Sequence, residues 1–152
     1  MTTTTQDISG LTSIVSGVAD KIQQIDYEPV MIESLDLIAD IERDAFNGGR
    51  SPGGELWAQD TPSTVKKKGQ ALVLFESGTL EKSLIGIGAQ GNIHETSHRG
   101  LLYGTEVPYA IFNQEGTSRA PARPNVGVPA AFVDAVADEI GDFVVDELKR
   151  GK

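Results

Sequence analysis

Two short strings in this sequence contain the residue types of enzyme motifs. The first, His94-Glu95-Thr96-Ser97-His98, matches the HExxH pattern, in which a helix presents two zinc-binding imidazoles and the glutamate acts as general base. Its central threonine and serine are poor helix formers and glycines bracket it, so we predict a loop or bulge joining two strands. Residues four apart in an extended chain are separated by roughly 13 Å, which is too far for two ligands of one zinc ion. Because the sequence has 2 histidines, a third ligand would have to be a carboxylate such as Glu106 or Glu115.

The second string, Gly86-Ile87-Gly88-Ala89-Gln90-Gly91, formally matches the GxGxxG pattern of dinucleotide sites. The residues that follow, Asn92 to Gly100, do not have the pattern of an apolar helix, so no βαβ unit can be built there. We interpret these glycines as relieving crowding in a twisted or bulged hairpin. The sequence therefore predicts no cofactor.

The elements that would position these strings are short. Three apolar or alternating stretches predict strands, at Ala71–Glu76, Ser83–Gly88 and Arg99–Thr105. Ser77 and Gly78 signal a turn between the first two strands. The segment from Val107 to Gly116 predicts a compact turn or a single helical turn.

Apolar residues at intervals of three and four predict the helices. The first runs from Ile8 to Ile25 and is broken before Pro29, and the second runs from Val30 to Phe46. The last helix begins at Pro129, and its broad apolar face is expected to lie on the sheet. Arg50–Gln70 is predicted to be a loop.

These elements predict a small α+β fold, in which a small antiparallel sheet is packed by an N-terminal helical region and a C-terminal helix. We divide the chain into an N-terminal helical extension, residues 1–28, and an α+β domain, residues 29–152. Trp57 is expected to pin its loop to the core near Leu72, Leu74 or the C-terminal helix.

The charge is unevenly distributed. The chain has 22 acidic and 13 basic residues and a net charge of −9, which argues against a protein that grips phosphates over its whole surface. Lys66, Lys67 and Lys68 form one basic cluster, and Arg119 and Arg123 lie in the segment after the sheet. An acidic body with basic loops can pair with copies of itself, although solvated loop charges explain the pattern equally well. The chain has no cysteine, its apolar stretches are too short for a membrane span, and its first residues lack a secretion signal, so a soluble intracellular product is expected.

Taken in order, several segments resemble the phage virion morphogenesis family, which is related to the tail completion proteins of Mu-like phages. They are Ala45-Phe46, Ser51–Trp57, Thr64 with the lysine cluster, Leu72–Leu84, Tyr103–Gly116 and Pro121–Gly127. The resemblance covers roughly Ala45 to Lys152. The chain departs from the family pattern at Ser77, at Phe112-Asn113 and at Asn125, and the helix before Tyr27 looks like an addition to the family core.

The resemblance implies a structural role and no enzymatic activity. It implies a homo-oligomeric ring at the neck or tail top, which completes the tail and joins it to the head connector, and it favours a sixfold ring. The implied partners are connector and tail tube proteins, while DNA passes through without sequence-specific binding and no membrane is involved. The implied location is the virion, with assembly in the host cytoplasm.

The residues expected at subunit or partner interfaces are Arg119, Arg123, Pro124, Tyr109 and Gln114. The two arginines are expected to pair with carboxylates of an adjacent subunit. Trp57 and Gly78 are expected to be structural anchors.

Two alternatives stay open. One is a small zinc-dependent hydrolase using His94, Glu95 and His98, and the other is an acidic protein-binding adaptor outside any virion. Within the favoured class, the residues do not distinguish a tail terminator from a neck adaptor or an assembly chaperone.

Overall fold

A computed structural model describes residues 9–151, with side chains from Thr12 onward. In that part of the chain the helices are α1 Ser9–Gln24, α2 Glu28–Gly48, α3 Pro62–Lys68, α4 Thr79–Ile85, α5 Ala110–Glu115 and α6 Ala130–Arg150. The strands β1 Asn92–Ser97 and β2 Gly100–Thr105 form one antiparallel sheet. The predicted class, a small α+β fold, is confirmed. None of the helices described combines the length and apolar character that crossing a bilayer requires.

Helix α2 is the central element, and it contacts α4, α6 and both strands. Its inner face buries Leu35, Ile38 and Phe46. Gly49 caps its C-terminus in a left-handed conformation, with a φ of 60°, and its backbone N–H donates to the Phe46 carbonyl at 3.2 Å. The second predicted helix is therefore confirmed, with two more residues at each end.

The hairpin contains one of the three predicted strands. Asn92 pairs with Thr105 and Ser97 with Gly100, so the strand predicted at Arg99–Thr105 is confirmed as β2. The strand predicted at Ser83–Gly88 was wrong, because its first residues belong to α4. Leu80 and Leu84 are four residues apart and both fully buried, which is the spacing of one helix face.

The strand predicted at Ala71–Glu76 was also wrong. The chain there is irregular, and Leu74 has a φ of 57°, a left-handed conformation that ends any extended run. Val73 is buried and Leu72 is exposed, so the segment supplies a core residue without pairing as a strand.

Both motif strings lie in different structures from those predicted. The segment from His94 to Ser97 is part of β1, and His98 lies in the hairpin turn, so the predicted loop between two strands is mostly strand. Gly86–Gly91 connects α4 to β1 and is not part of a hairpin. Gly88 and Gly91 have φ values of 76° and 82° there, as tight turns before a strand require.

The loop predicted at Arg50–Gln70 contains a short helix, α3. The Thr61 hydroxyl accepts a hydrogen bond from the Thr64 N–H at 3.3 Å, Pro62 takes the first position, and Gly69 ends the helix at a φ of 74°. Strong local capping explains why this segment is helical although it has no buried residue.

The terminal helices pack mainly on other helices. Helix α6 lies against α2 and α1, whereas α2 and α4 contact the hairpin, so the expectation that α6 lies on the sheet was wrong. The rings of Tyr27 and Phe143 meet at 6.3 Å between centroids. The first predicted helix is confirmed as α1, except that Ile8 lies outside the described residues. The division at residue 28 stays a prediction.

Candidate functional site: an anchored arm beside an exposed helix

The segment of residues 116–128, here called the arm, is held by the side chain of Gln114. The Oε1 of Gln114 accepts hydrogen bonds from the backbone N–H groups of Asn125 and Val126 at 2.8 and 3.0 Å, and its Nε2 donates to the Val126 carbonyl at 2.9 Å. The Arg123 N–H donates to the Asn113 carbonyl at 2.6 Å. The arm is thus fixed to α5 by hydrogen bonds that a flexible tail would lack.

Arg123 holds the arm to the loop around α3. Its Nη2 lies 3.0 Å from Oδ1 of Asp60, and its Nε donates to the Ala58 carbonyl at 2.8 Å. The Nζ of Lys68 lies 2.7 Å from the other carboxylate oxygen of Asp60, and the Asp60 side chain is only 6% exposed. A largely buried carboxylate between two cations holds both in place. Asp60 of the same chain therefore satisfies the charge that we expected Arg123 to offer a neighbouring subunit.

Trp57 is buried and joins the arm to the core. Its ring meets that of Phe46 edge to face at 5.3 Å between centroids, and its Nε1 donates to the Pro124 carbonyl at 2.8 Å. The same cluster contains Val73, with Leu74 packed against it. These contacts are those expected of the predicted anchor, and they place Pro124 inside the chain's own packing.

Gly78 begins α4 in a left-handed conformation, with a φ of 73°. A Cβ atom there would lie 3.2 Å from the Phe75 ring. The left-handed conformation therefore favours glycine, and a Cβ atom would also crowd the Phe75 ring.

The surface beside the arm is apolar and open to solvent. Tyr109, Ile111 and Phe112, here called the α5 patch, are 43%, 50% and 60% exposed. Arg119 is exposed at the arm's tip, in a turn that pairs Thr117 with Ala120. Of the five residues predicted at an interface, Tyr109 and Arg119 therefore face solvent, while Arg123, Pro124 and Gln114 hold the arm.

A cleft of about 540 Å³ separates the arm from the start of α4. It is lined by the charged side chains of Asp60, Lys68, Glu76 and Arg123, together with Tyr109 and Asn113. Three of these charges already pair with one another in the chain. Because these three charges are paired, they are not free to act in catalysis. The cleft is instead a concave surface next to the α5 patch.

Glu42 is a buried carboxylic acid that sequence reasoning missed. Neither of its carboxylate oxygens has a hydrogen-bond partner, and burial raises the pKa of Glu42 to about 8. The nearby backbone N–H of Gly127 lowers the pKa of Glu42, but by less than burial raises it. This N–H does not form a hydrogen bond of normal geometry with the Glu42 carboxyl. Burial, followed by the nearby Glu42 carboxyl, also raises the pKa of Tyr103, whose hydroxyl has no partner either. The arm thus covers an acid that is protonated at neutral pH.

The histidines of the HExxH string do not form a metal centre with other side chains. The Nδ1 of His94 lies 2.8 Å from Oδ1 of Asn92 on the same strand. Within residues 9–151, no group of three or more histidine or acidic side chains lies close enough to hold one metal ion. The zinc-hydrolase alternative therefore finds no ligand set in this part of the chain.

No family model, curated protein or solved structure matches this chain. The resemblance to the phage virion morphogenesis family therefore stays a prediction from the ordered residue motifs. In the structure, the segments around Trp57 and around Pro121–Gly127 meet through the hydrogen bond from Trp57 to Pro124.

Proposed function

We propose that this chain is a structural subunit of a phage virion at the neck or tail top, where copies form a ring that completes the tail and joins it to the head connector. The observation that carries the proposal is the α5 patch, three large apolar side chains that lie close together in sequence and are open to solvent, beside an arm held by hydrogen bonds. Large apolar side chains left exposed to water are a common feature of protein–protein contact sites. An arm that is already ordered loses little entropy when a partner binds it.

The hairpin supports the same proposal. In the part of the chain that the structure describes, β1 and β2 pair only with each other, so each has one edge without a strand partner. Open strand edges associate with other chains unless they are covered. The net charge of −9 would repel DNA phosphates and let DNA pass a ring without adhering.

Particles produced without this chain are expected to contain filled heads and separate tails. The physical reason is that a joint built from subunit contacts cannot form when the joining subunit is missing. Negative-stain electron microscopy of such particles measures the fraction of heads joined to tails, and supplying the chain from a plasmid is the control. Joined, infectious particles in its absence would contradict the proposed role and favour the adaptor alternative.

The hydrolase alternative is tested on the purified chain. We expect no stoichiometric zinc after purification in zinc-containing buffer, because His94 and His98 lie on a strand and a turn with no third ligand near them. Elemental analysis measures the zinc content of the wild type and of the His94→Ala variant. One zinc per chain in the wild type, lost in the variant, would replace the structural proposal with a catalytic one.

A further inference from the structure

Helix α6 presents two parallel rows of side chains to solvent. One row, here called the acidic row, consists of Asp134, Asp138, Asp142 and Asp146, and all four are exposed. The other, here called the apolar row, consists of Val133, Ala137, Gly141 and Val145, and its two valines are 53% and 48% exposed. Residues four apart form continuous ridges on a helix, so the two rows run side by side along its outer surface.

Within the part of the chain that the structure describes, no contact explains the composition of the apolar row. A Cβ atom built on Gly141 would meet none of the described atoms within 4 Å, so none of their contacts requires glycine there. Glycine in the middle of an exposed helix costs roughly 1 kcal/mol relative to alanine. Close approach of another polypeptide to the helix would explain both the glycine and the exposed valines.

The negative charge on this side extends to α2. Hydrogen bonding with the Glu33 carboxyl of α2 raises the pKa of Glu139 of α6, with burial and the charge of Glu33 as smaller causes. Within residues 9–151, the one ion pair of the acidic row joins Asp146 to Lys149 at 3.5 Å. The surface therefore attracts a cationic partner and would hold it against exposed apolar side chains.

The chain itself carries a matching surface on α3. Lys66 and Lys67 are exposed, and neither takes part in an ion pair among the residues described. Lys68 is turned inward, where it binds Asp60 and donates to the Leu72 carbonyl at 2.7 Å. Lys66 and Lys67, here called the α3 patch, thus present two unpaired positive charges to solvent.

We propose that a second copy of this chain docks its α3 patch on the two rows of α6. The inference rests on the proposed homo-oligomeric subunit and names the two surfaces that would meet. The surfaces differ, so each copy uses one for the preceding neighbour and one for the next, which is the head-to-tail contact that a ring requires. Because the copies repel one another through their net charge of −9, local pairing of opposite charges selects this orientation.

Charge exchange between the two surfaces tests the proposal. The Lys66→Glu/Lys67→Glu variant and the Asp138→Lys/Asp142→Lys variant should each lose self-association, with the dissociation constant rising by about 100-fold or more. An equimolar mixture should assemble again, because every junction in an alternating ring then joins opposite charges. Analytical ultracentrifugation measures the species, and circular dichroism checks that each variant is folded.

The matched control reverses two exposed basic residues elsewhere, Lys82 on α4 and Arg99 in the hairpin turn. The Lys82→Glu/Arg99→Glu variant should assemble like the wild type. Self-association of either charge-exchange variant alone, or a mixture that stays monomeric, would overturn the proposal. A wild-type chain that stays monomeric would also overturn the proposal. If particles nevertheless required the chain, the virion role would stand and only this interface would be rejected.

Cysteine cross-linking gives an independent readout, because the wild-type chain has no cysteine. Mixing Lys67→Cys protein with Asp138→Cys protein and oxidising mildly should give a covalent dimer of the two. Mixing Lys82→Cys protein with Asp138→Cys protein should not. Equal yields from both mixtures would show that the contact is unspecific and would overturn the assignment. The two proposals can also fail separately. If the chain assembles through the proposed surfaces but particles that lack the chain still join heads to tails normally, only the virion role is contradicted.

Discussion

Replacing Trp57 with alanine is expected to lower the free energy of unfolding by about 3–5 kcal/mol. The side chain is buried against Phe46, and its Nε1 donates to the Pro124 carbonyl at 2.8 Å. The substitution would create a large cavity and would leave that carbonyl without its partner. Because Pro124 belongs to the arm, we also expect faster amide hydrogen exchange from Asn125 to Gly127. Urea unfolding followed by circular dichroism measures the first effect, and hydrogen exchange measures the second.

The neighbouring Leu56 provides a matched control. It is 77% exposed, so Leu56→Ala should change the free energy of unfolding by less than about 0.5 kcal/mol. Trp57→Phe keeps much of the apolar contact but removes the donor to Pro124 and leaves a smaller cavity, so we expect a loss of about 1–3 kcal/mol. A Trp57→Ala protein as stable as the Leu56→Ala protein would show that the loop is not anchored to the core in solution.

The features that could be predicted from sequence are those that a local pattern determines. Helix α2 has an apolar stripe and a glycine stop, so its position follows from periodicity and capping alone. The strand β2 is a short apolar run between glycines, which suits a strand although its side chains do not alternate regularly between buried and exposed. Trp57 could be predicted as an anchor because a single large aromatic side chain in a polar loop stabilises a fold mainly by being buried.

The features that could not be predicted depend on contacts between distant parts of the chain. The pairing of Asp60 with Arg123 joins residues from two polar loops, and neither loop has a pattern that identifies the other. Ser83–Gly88 shows an alternation that fits a strand, but burial of Leu80 and Leu84 on one side of α4 outweighs it. The irregular chain at Leu74 likewise reflects tertiary packing that overrides strand propensity.

Glu42 is an intermediate case, because a signal existed in the pattern. The apolar stripe of α2 contains Leu35, Ile38 and Ala45, and position 42 falls on the same face. An acidic residue at a core position of a helix indicates either a buried partner or a raised pKa. The sequence could therefore have drawn attention to Glu42, although not to its neighbours Tyr103 and Gly127.

Glu42 is expected to make stability fall as pH rises from about 4.5 to about 8. Burial raises its pKa from 4.5 to about 8, so within this window the folded chain keeps a proton that the unfolded chain has released. The folded state then binds more protons, and the free energy of unfolding decreases with increasing pH. The stabilising contribution of Glu42 is complete below a pH of about 4.5 and is lost above a pH of about 8. The resulting change in the free energy of unfolding is on the order of 3–5 kcal/mol.

Glu42→Gln removes this titration and nearly preserves the shape of the side chain. We expect the variant and the wild type to agree within about 1 kcal/mol at pH 5, and the variant to be more stable by roughly 3 kcal/mol at pH 8.5. Urea unfolding at a series of pH values measures the difference between the two proteins, in which the titration of groups that do not interact with Glu42 cancels. Glu55→Gln, at an exposed position, is the matched control and should differ from the wild type at pH 5 by less than about 0.5 kcal/mol.

The outcome also bears on the arm. Glu42 lies near Gly127, and a charged carboxylate there would have to regain solvent by displacing the arm from α2. Hydrogen exchange in the arm should therefore accelerate above pH 8 in the wild type beyond the intrinsic effect of pH, and Glu42→Gln should suppress the excess. If the free energy of unfolding changes with pH in the same way in the two proteins, water already reaches this carboxyl. The order of the arm would then need another explanation.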